Sequence, residues 1–284
     1  NEELSEDMKS SISEYANTQN NIQTADLVSN HPFHKKLEEL SRRMLMPAGE
    51  SGVASKWFYE RTRGQYNVKV RGYPTAGAKK QFQREFPKNQ KFVKTDMAKY
   101  ENTWRMNPHI VKKGAQANLK VFGEEISREY DKNPDNFKDP FYKDLIAKAI
   151  LFKQSDSAIL KSAWYKETPG FKAEVVTYSL AFIRHQLIQQ KSDINLDTIY
   201  RNQKISETLA EEVIDVAKFI RDKITDTDFT NGVSNPSEFC KTLKAWEKFQ
   251  TLDYDFKYLV GNDVANAQEL EKKKEDDAEI LKAG

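Results

Sequence analysis

The sequence predicts an all-α protein, and three observations support that prediction. Apolar residues recur every three or four positions through much of the chain. Several of these segments open with a helix-capping residue followed by proline. No alternating apolar and polar run bounded by hairpin turns is present. The expected architecture is a multi-helix array with a basic N-terminal half and an amphipathic C-terminal helical bundle.

Apolar periodicity indicates the individual helices. The longest pattern repeats at helical spacing from Ile205 to Ile224, through Leu209, Val213, Val216 and Ile220. Shorter patterns begin at Val111, Phe141 and Val176. Helices are also expected to dominate residues 1–123. The predicted helical segments of the remainder are 108–130, 139–163, 171–190, 197–225 and 236–251.

Start signals agree with this periodicity. Asn107 and Asp139 each precede a proline, which suits a capping side chain before the first helical turn. Asn235 also precedes a proline, and Glu238 follows it at the spacing of a capping box. The sequence therefore predicts helix starts at these three positions.

Charge divides the chain more sharply than its total suggests. The formal net charge is +2, yet residues 31–123 contain 20 Lys and Arg against 7 Asp and Glu. The polar, turn-rich loop at 131–136 follows this basic segment, and Pro74–Gly77 marks a break within it. We therefore predict a basic family-core helical region at 1–130, a C-terminal helical subdomain at 131–266 and a charged tail at 267–284. The tail lacks an apolar stripe, so we expect it to be either a solvated helix or disordered.

Composition excludes several classes of protein. No apolar run approaches the length of a membrane span. A single cysteine, Cys240, excludes an internal disulfide and a thiolate metal cluster. We expect a reduced, cytoplasmic protein with no cofactor and no metal. His31 and His34 lie three apart at a predicted helix start, where capping and packing are favoured over zinc binding because no further ligands lie nearby.

The segment 56–66 holds four aromatic residues, two arginines and a lysine, with one acid. If it is helical, Trp57 can stack on Arg61, and Tyr59 on Arg63. Such a face suits nucleic acid, with cations on phosphates and rings on unpaired bases. Alternatively, Phe58, Thr62 and Tyr66 point inward and the arginines pair with acids elsewhere. The predicted nucleic-acid-binding residues are Lys56, Trp57, Tyr59, Arg61, Arg63, Gln65, Lys94, Lys99, Lys112 and Lys113.

Catalytic signatures are weak. Asp255 and Lys257 form an Asp-x-Lys fragment, but the strand context of a restriction-type nuclease is missing. Arg105 and His109 are spaced differently from the Arg and His of helical ribonucleases in abortive infection systems. The amide-rich run Ala16–Asn20 could read base edges, although a structural role in a turn is favoured. We predict no catalytic residues and no cleavage of DNA or RNA by this chain.

Six ordered blocks, spread over about 105 residues, resemble the abortive infection phage resistance (AIPR) family of bacterial defence proteins. These blocks are Ile12–Asn20, Asp26–His34, Leu37–Arg43, Trp57–Tyr66, Gln90–Tyr100 and Pro108–Gln116. No block is recognised in residues 125–284, which are expected to be the family's variable C-terminal part.

The resemblance implies a role in phage defence and supplies no catalytic residues for the blocks present. Family members often carry an upstream region, so we expect this chain to be the C-terminal portion of a longer protein. Two functions stay open. The first is a module that binds DNA or RNA. The second is a structural or protein-interaction module that docks an acidic partner or the upstream domain.

Overall fold

The computed structural model describes residues 31–49 and 52–283. The amide-rich run Ala16–Asn20 and the helix-like segment before it therefore lie outside the described residues. Helical residues make up 68% of the structure, which confirms the predicted all-α class.

The described residues contain fourteen α-helices and four strands. The helices are α1 Pro32–Arg43, α2 Gln65–Gly72, α3 Ala76–Glu85, α4 Lys94–Trp104, α5 Pro108–Lys112, α6 Ala115–Lys132, α7 Asp139–Lys161, α8 Ala163–Glu167, α9 Lys172–Gln189, α10 Leu196–Asn202, α11 Glu207–Thr225, α12 Pro236–Phe239, α13 Leu243–Gln250 and α14 Ala267–Ala283. The strands are β1 Phe58–Glu60, β2 Lys91–Val93, β3 Ser192–Ile194 and β4 Val264–Asn266. Short 3-10 turns lie at Lys88–Gln90 and Pro134–Phe137.

The strands form two small sheets. β1 and β2 are parallel, with Tyr59 opposite Phe92. β3 and β4 are antiparallel, with Asp193 opposite Ala265. Each strand has only three residues, so none is long enough to produce the alternating pattern that reveals a strand in sequence.

Three of the predicted helical segments are each interrupted once by a local backbone feature. Gly114 has φ +103° and separates α5 from α6. Gln203 has φ +53° and ends α10, after which Ser206 caps α11 by accepting from the Leu209 N–H at 2.9 Å. Thr242 caps α13 in the same way and separates it from α12. Hydrophobic periodicity continues across such breaks because both helices face one core.

The predicted start signals are confirmed in part. Asn235 caps α12 by accepting from the Ser237 N–H at 3.0 Å. Asn107 occupies the cap position of α5 without a capping hydrogen bond. The prediction that Asp139 caps α7 is wrong, because Asp139 is already the first residue of that helix and its carboxylate binds Arg43.

One apolar core runs through most of the described chain. It extends from Phe33 in α1 to Phe249 in α13, and its buried residues form one cluster of contacting side chains. At its centre, α9 packs against α7, α11 and α4, and Tyr178 and Phe182 of α9 are completely buried. The predicted division of the chain into subdomains at residue 131 stays a prediction.

A second, smaller core lies under α2 and α3. Phe58, Tyr66, Phe82 and Phe86 form this aromatic cluster, and all four are at most 5% exposed. The Phe58 ring meets the other three at centroid distances of 5.1 to 5.9 Å in edge-to-face arrangements. The Tyr66 hydroxyl also donates to the Phe86 carbonyl at 2.7 Å. The aromatic cluster therefore attaches the helix pair to β1.

The charged tail is a helix, α14, for as far as it is described. Lys273 contacts Asp144 of α7 at 2.6 Å, and β4 joins the start of α14 to β3. Among the described helices, none combines the length and apolarity needed to cross a membrane.

Candidate nucleic-acid interface

The segment 56–66 is not the helix that the sequence suggested. Residues Phe58–Glu60 form β1 instead, which pairs with β2. Side chains of a strand alternate between its two faces, and both faces of β1 are covered. Trp57 and Tyr59 enter the main core, whereas Phe58 enters the aromatic cluster. This alternation explains why three consecutive aromatic residues are buried.

The burial of Trp57 and Tyr59 changes their predicted role. They are 3% and 0% exposed, so neither ring presents a face on which a base could stack. The Trp57 Nε1–H donates to Gln203 Oε1 at 3.4 Å, and the Tyr59 hydroxyl lies 2.7 Å from His34 Nδ1. The expected stacks of these rings on Arg61 and Arg63 do not form. Their burial makes both rings part of the core.

Acids from elsewhere in the sequence form ion pairs with two of the predicted contact residues, Arg61 and Lys56, and accept a hydrogen bond from a third, Gln65. Glu38 of α1 accepts from Arg61 Nε at 3.0 Å and from Gln65 Nε2 at 2.5 Å. Lys56 contacts Glu85 at 2.8 Å. Internal ion pairs and hydrogen bonds therefore occupy these side chains. Arg63 is exposed, and no ion pair joins it to any residue of the described ranges.

The four predicted lysines from the later blocks fall into different surroundings. Lys94 is half-buried and interacts within the protein. Lys99 lies 4.0 Å from Asp96, and Lys112 contacts the buried Glu174 at 2.7 Å. Lys113 is exposed at the end of α5. Lys99 and Lys112 line the same cavity.

The structure reveals a second set of cations that the motif-based prediction missed. Seven lysines and arginines between residues 63 and 88 have no ion-pair partner among residues 31–49 and 52–283, and all but the half-buried Lys79 are exposed. They are Arg63, Lys69, Arg71, Lys79, Lys80, Arg84 and Lys88. The single acid within this range, Glu85, is already paired with Lys56. We call residues 63–88 the basic helix pair.

The aromatic cluster orients these charges. Tyr66 and Phe82 fix the inner faces of α2 and α3, which leaves Lys69, Arg71 and Lys80 outside. Thr75 begins α3 by accepting from the Ala78 N–H at 3.1 Å. In α3, Lys80 and Arg84 lie one turn apart, a spacing at which like charges repel. The pair thus presents uncompensated positive charge on a rigid support.

The histidines serve the fold. His31 caps α1 by accepting from the Phe33 N–H at 3.3 Å, as the sequence indicates. Burial, with smaller contributions from Lys94, His31 and Arg61, lowers the pKa of His34 to about 3. His34 is therefore neutral at physiological pH and shares a hydrogen bond with the Tyr59 hydroxyl, whose own pKa is raised by burial.

The discounted catalytic motifs are also occupied by internal contacts. Arg105 binds Glu129 through two nitrogens at 2.5 and 2.8 Å, and His109 is 7% exposed. Lys257 contacts Asp215 at 2.6 Å, while Asp255 is exposed. Within the described ranges, no three His, Cys, Asp or Glu residues are placed to hold a metal ion.

Comparison with known proteins gives a family for this chain. The sequence profile of the family described as AIPR protein matches residues 2–228. The match continues more than 100 residues past the last block recognised in the sequence, as far as residue 228. The expectation that 125–284 is the family's variable part stays a prediction. No curated protein and no solved structure shows a significant match to the chain. The chain belongs to the AIPR family, whose members are abortive infection phage resistance proteins.

Proposed function

We propose that this chain is a nucleic-acid-recognition module of a phage-defence protein, with the basic helix pair as its principal contact surface. The observation that carries the proposal is the set of seven cations without an ion-pair partner in the described ranges. Eight of the residues from Arg61 to Lys88 are Lys or Arg, against a single acid.

A surface of unpaired like charges is unfavourable for the folded protein. Uncompensated like charges on adjacent helices repel each other and contribute nothing to the stability of the fold. A polyanion removes that repulsion and releases its own condensed counterions, which favours binding. The two helices are also supported by a packed aromatic cluster, so little backbone order has to be gained on binding.

The proposal retains part of the predicted site and shifts its centre. Arg63 belongs to the basic helix pair, and Lys113 remains an exposed candidate. Trp57 and Tyr59 take no part in contact because they are enclosed. Lys56, Arg61 and Gln65 position the surface through Glu85 and Glu38. Contacts to phosphates therefore dominate over stacking on bases.

Fluorescence anisotropy with labelled DNA and RNA tests the proposal. Engagement of about four to six phosphates gives a slope of log affinity against log salt of roughly −4 to −5. The triple variant Arg71→Glu, Lys80→Glu, Arg84→Glu should bind at least about tenfold more weakly and reduce the slope by about 3. Circular dichroism should show unchanged helix content.

The matched control reverses three exposed lysines elsewhere that have no ion-pair partner in the described ranges: Lys161→Glu, Lys166→Glu and Lys244→Glu. It makes the same change in net charge and should retain most of the affinity. Equal losses in both triple variants, or no binding at low salt, would refute the proposal. Competition by poly-glutamate as strong as competition by nucleic acid would favour the acidic-partner alternative.

A further inference from the structure

A cavity of about 270 Å³ lies between α4, α5, α6, α7 and α9. Its polar lining includes four lysines and two aspartates, and Tyr100, Val111, Phe152 and Val176 supply apolar walls. Water occupies about 30 Å³ per molecule, so the cavity has room for roughly nine waters. A bare phosphate would leave most of this space empty.

The lysines give the cavity its positive character. Asp96 lies 4.0 Å from Lys99, and Asp156 lies 3.1 Å from Lys172. Lys153 has no carboxylate within ion-pair distance among the described residues. Its ammonium donates instead to the carbonyls of Asn89 and Lys91, at 2.9 and 2.6 Å. The same ammonium lies 4.9 Å from the centre of the Trp57 ring. Its third proton has no oxygen acceptor among the described residues.

Two further features of the wall suit an anion that carries additional polar groups. Asn118 is 1% exposed, and its Oδ1 accepts from Asn102 at 2.6 Å. No described residue accepts from the Asn118 Nδ2 group, which is therefore available to a ligand. Ala115 opens the 18-residue helix α6, whose first turn carries no acid and has no side-chain cap. Such helix starts favour negative charge.

We propose that this cavity binds a free mononucleotide, with Lys99, Lys153 and Lys172 at the phosphate. The base lies in van der Waals contact with the apolar wall and does not stack on Tyr100 and Phe152, which are only 4% and 7% exposed. This site is separate from the basic helix pair and does not depend on nucleic-acid binding there. The phosphate displaces the Lys99–Asp96 contact, which measures 4.0 Å. The base fills the part of the cavity that a phosphate does not occupy, against the apolar wall.

The electrostatics of Lys153 support this assignment. Burial lowers the pKa of Lys153 to about 8, partly opposed by Asp96 and reinforced by Lys91 and Lys99. A phosphate beside the ammonium would favour its charged form and raise that pKa again. The ligand would thus replace the solvation that burial takes from Lys153.

Isothermal titration calorimetry with AMP, GMP, CMP and UMP tests the proposal on the whole chain. At least one should bind at a single site with a dissociation constant below about 1 mM. Adenosine and inorganic phosphate should each bind about tenfold more weakly or worse. The double variant Lys99→Ala, Lys172→Ala should weaken mononucleotide binding by about tenfold or more, because it removes two charge-assisted hydrogen bonds to the phosphate.

Ala173→Glu provides a second variant that removes no lysine. Ala173 is exposed at the start of α9 and lines the cavity, so a glutamate there repels phosphate and occupies the entrance without disturbing the core. It should abolish binding, and it decides the matter if the double lysine variant fails to fold. Arg71→Glu with Lys80→Glu, outside the cavity, should leave mononucleotide binding unchanged.

Four results would overturn the proposal. The first is that no mononucleotide gives heat at millimolar concentration, and the second is that both cavity variants bind as the wild type does. The third is that phosphate binds as tightly as the best mononucleotide. The fourth is that only a 5′-phosphorylated oligonucleotide binds. The last result would assign the cavity to a nucleic-acid terminus. Loss of DNA or RNA binding in the basic helix pair variants tests the proposed function alone.

Discussion

The guanidinium of Arg42 lies 3.6 Å above the centre of the Phe58 ring. The same side chain donates to the Tyr59 carbonyl at 3.2 Å and lies 3.4 Å from Glu38. Helix α1 therefore covers one side of the aromatic cluster with a cation held in place by these two acceptors and by Ser41 Oγ, which accepts from Arg42 Nη1 at 3.0 Å. This contact connects the small cluster to the main core, to which α1 belongs.

Replacing Arg42 with alanine should destabilise the protein by about 1–2 kcal/mol, through loss of the cation–ring contact and of packing by its aliphatic stem. The neighbouring Arg43 supplies the control, because its side chain is 54% exposed and binds a partly exposed acid. Arg43→Ala should cost less than about 1 kcal/mol. Urea unfolding measures both changes, and equal costs would contradict the role assigned to Arg42.

Arg61 and Arg63 should respond differently to charge reversal. Arg61→Glu places a second carboxylate beside Glu38 and should lower the free energy of unfolding by about 1–2 kcal/mol. Arg63→Glu removes no observed ion pair and should stay within about 0.5 kcal/mol of the wild type. Fluorescence anisotropy measures the loss of nucleic-acid affinity in each variant. Relative to the loss of stability, the loss of affinity should be larger for Arg63→Glu than for Arg61→Glu. The opposite ranking would argue that Arg61 makes the contact.

Lys148 and Glu101 form a buried ion pair at 2.8 Å, with side chains 10% and 3% exposed. Glu101→Ala leaves the Lys148 ammonium without a carboxylate partner and should cost about 3–5 kcal/mol. Lys218→Ala removes half of an exposed pair, Lys218–Asp222, and should cost less than about 0.5 kcal/mol. Thermal or chemical unfolding distinguishes the two. A small cost for Glu101→Ala would contradict the prediction and would mean that water solvates the Lys148 ammonium.

His34 should make the protein less stable as the pH falls. The unfolded chain takes up a proton near the ordinary pKa of 6.5, whereas burial keeps folded His34 neutral down to about 3. Between these values the unfolded state binds more protons, so the free energy of unfolding decreases by at most about 1.4 kcal/mol per pH unit from this residue. His34→Gln, which can still form a hydrogen bond with Tyr59, should reduce this dependence. An identical pH profile in both proteins would contradict the assignment.

Much of the fold could be predicted from the sequence because its helices obey local rules. The pattern from Leu209 to Ile224 is buried along one face of α11, as expected. The strand β1 could not be predicted, since its partner β2 lies 30 residues away and an aromatic run fits a buried helix equally well. The family assignment rested on ordered residue blocks and needed no fold.

The candidate surface shows the same limit. The charge count predicted a basic surface within residues 31–123. The aromatic residues among the cations placed the predicted contact face at 56–66. Burial of Trp57 and pairing of Arg61 with Glu38 depend on contacts between distant segments, which no local pattern reports. The sequence contained one signal for the unpaired cations of the basic helix pair. Residues 61–88 hold eight Lys and Arg but only one acid with which they could pair.

The separation of the aromatic cluster from the main core has a consequence for amide exchange. A helix pair supported by four large side chains can open as a unit while the rest of the protein stays folded, at less cost than global unfolding. A polyanion that binds only the closed pair lowers the open population by mass action. At a free concentration of about 100 times its dissociation constant it adds about 2.7 kcal/mol. Exchange of the amides in α2 and α3 should then slow by about 100-fold, and that protection would identify the bound surface without any substitution.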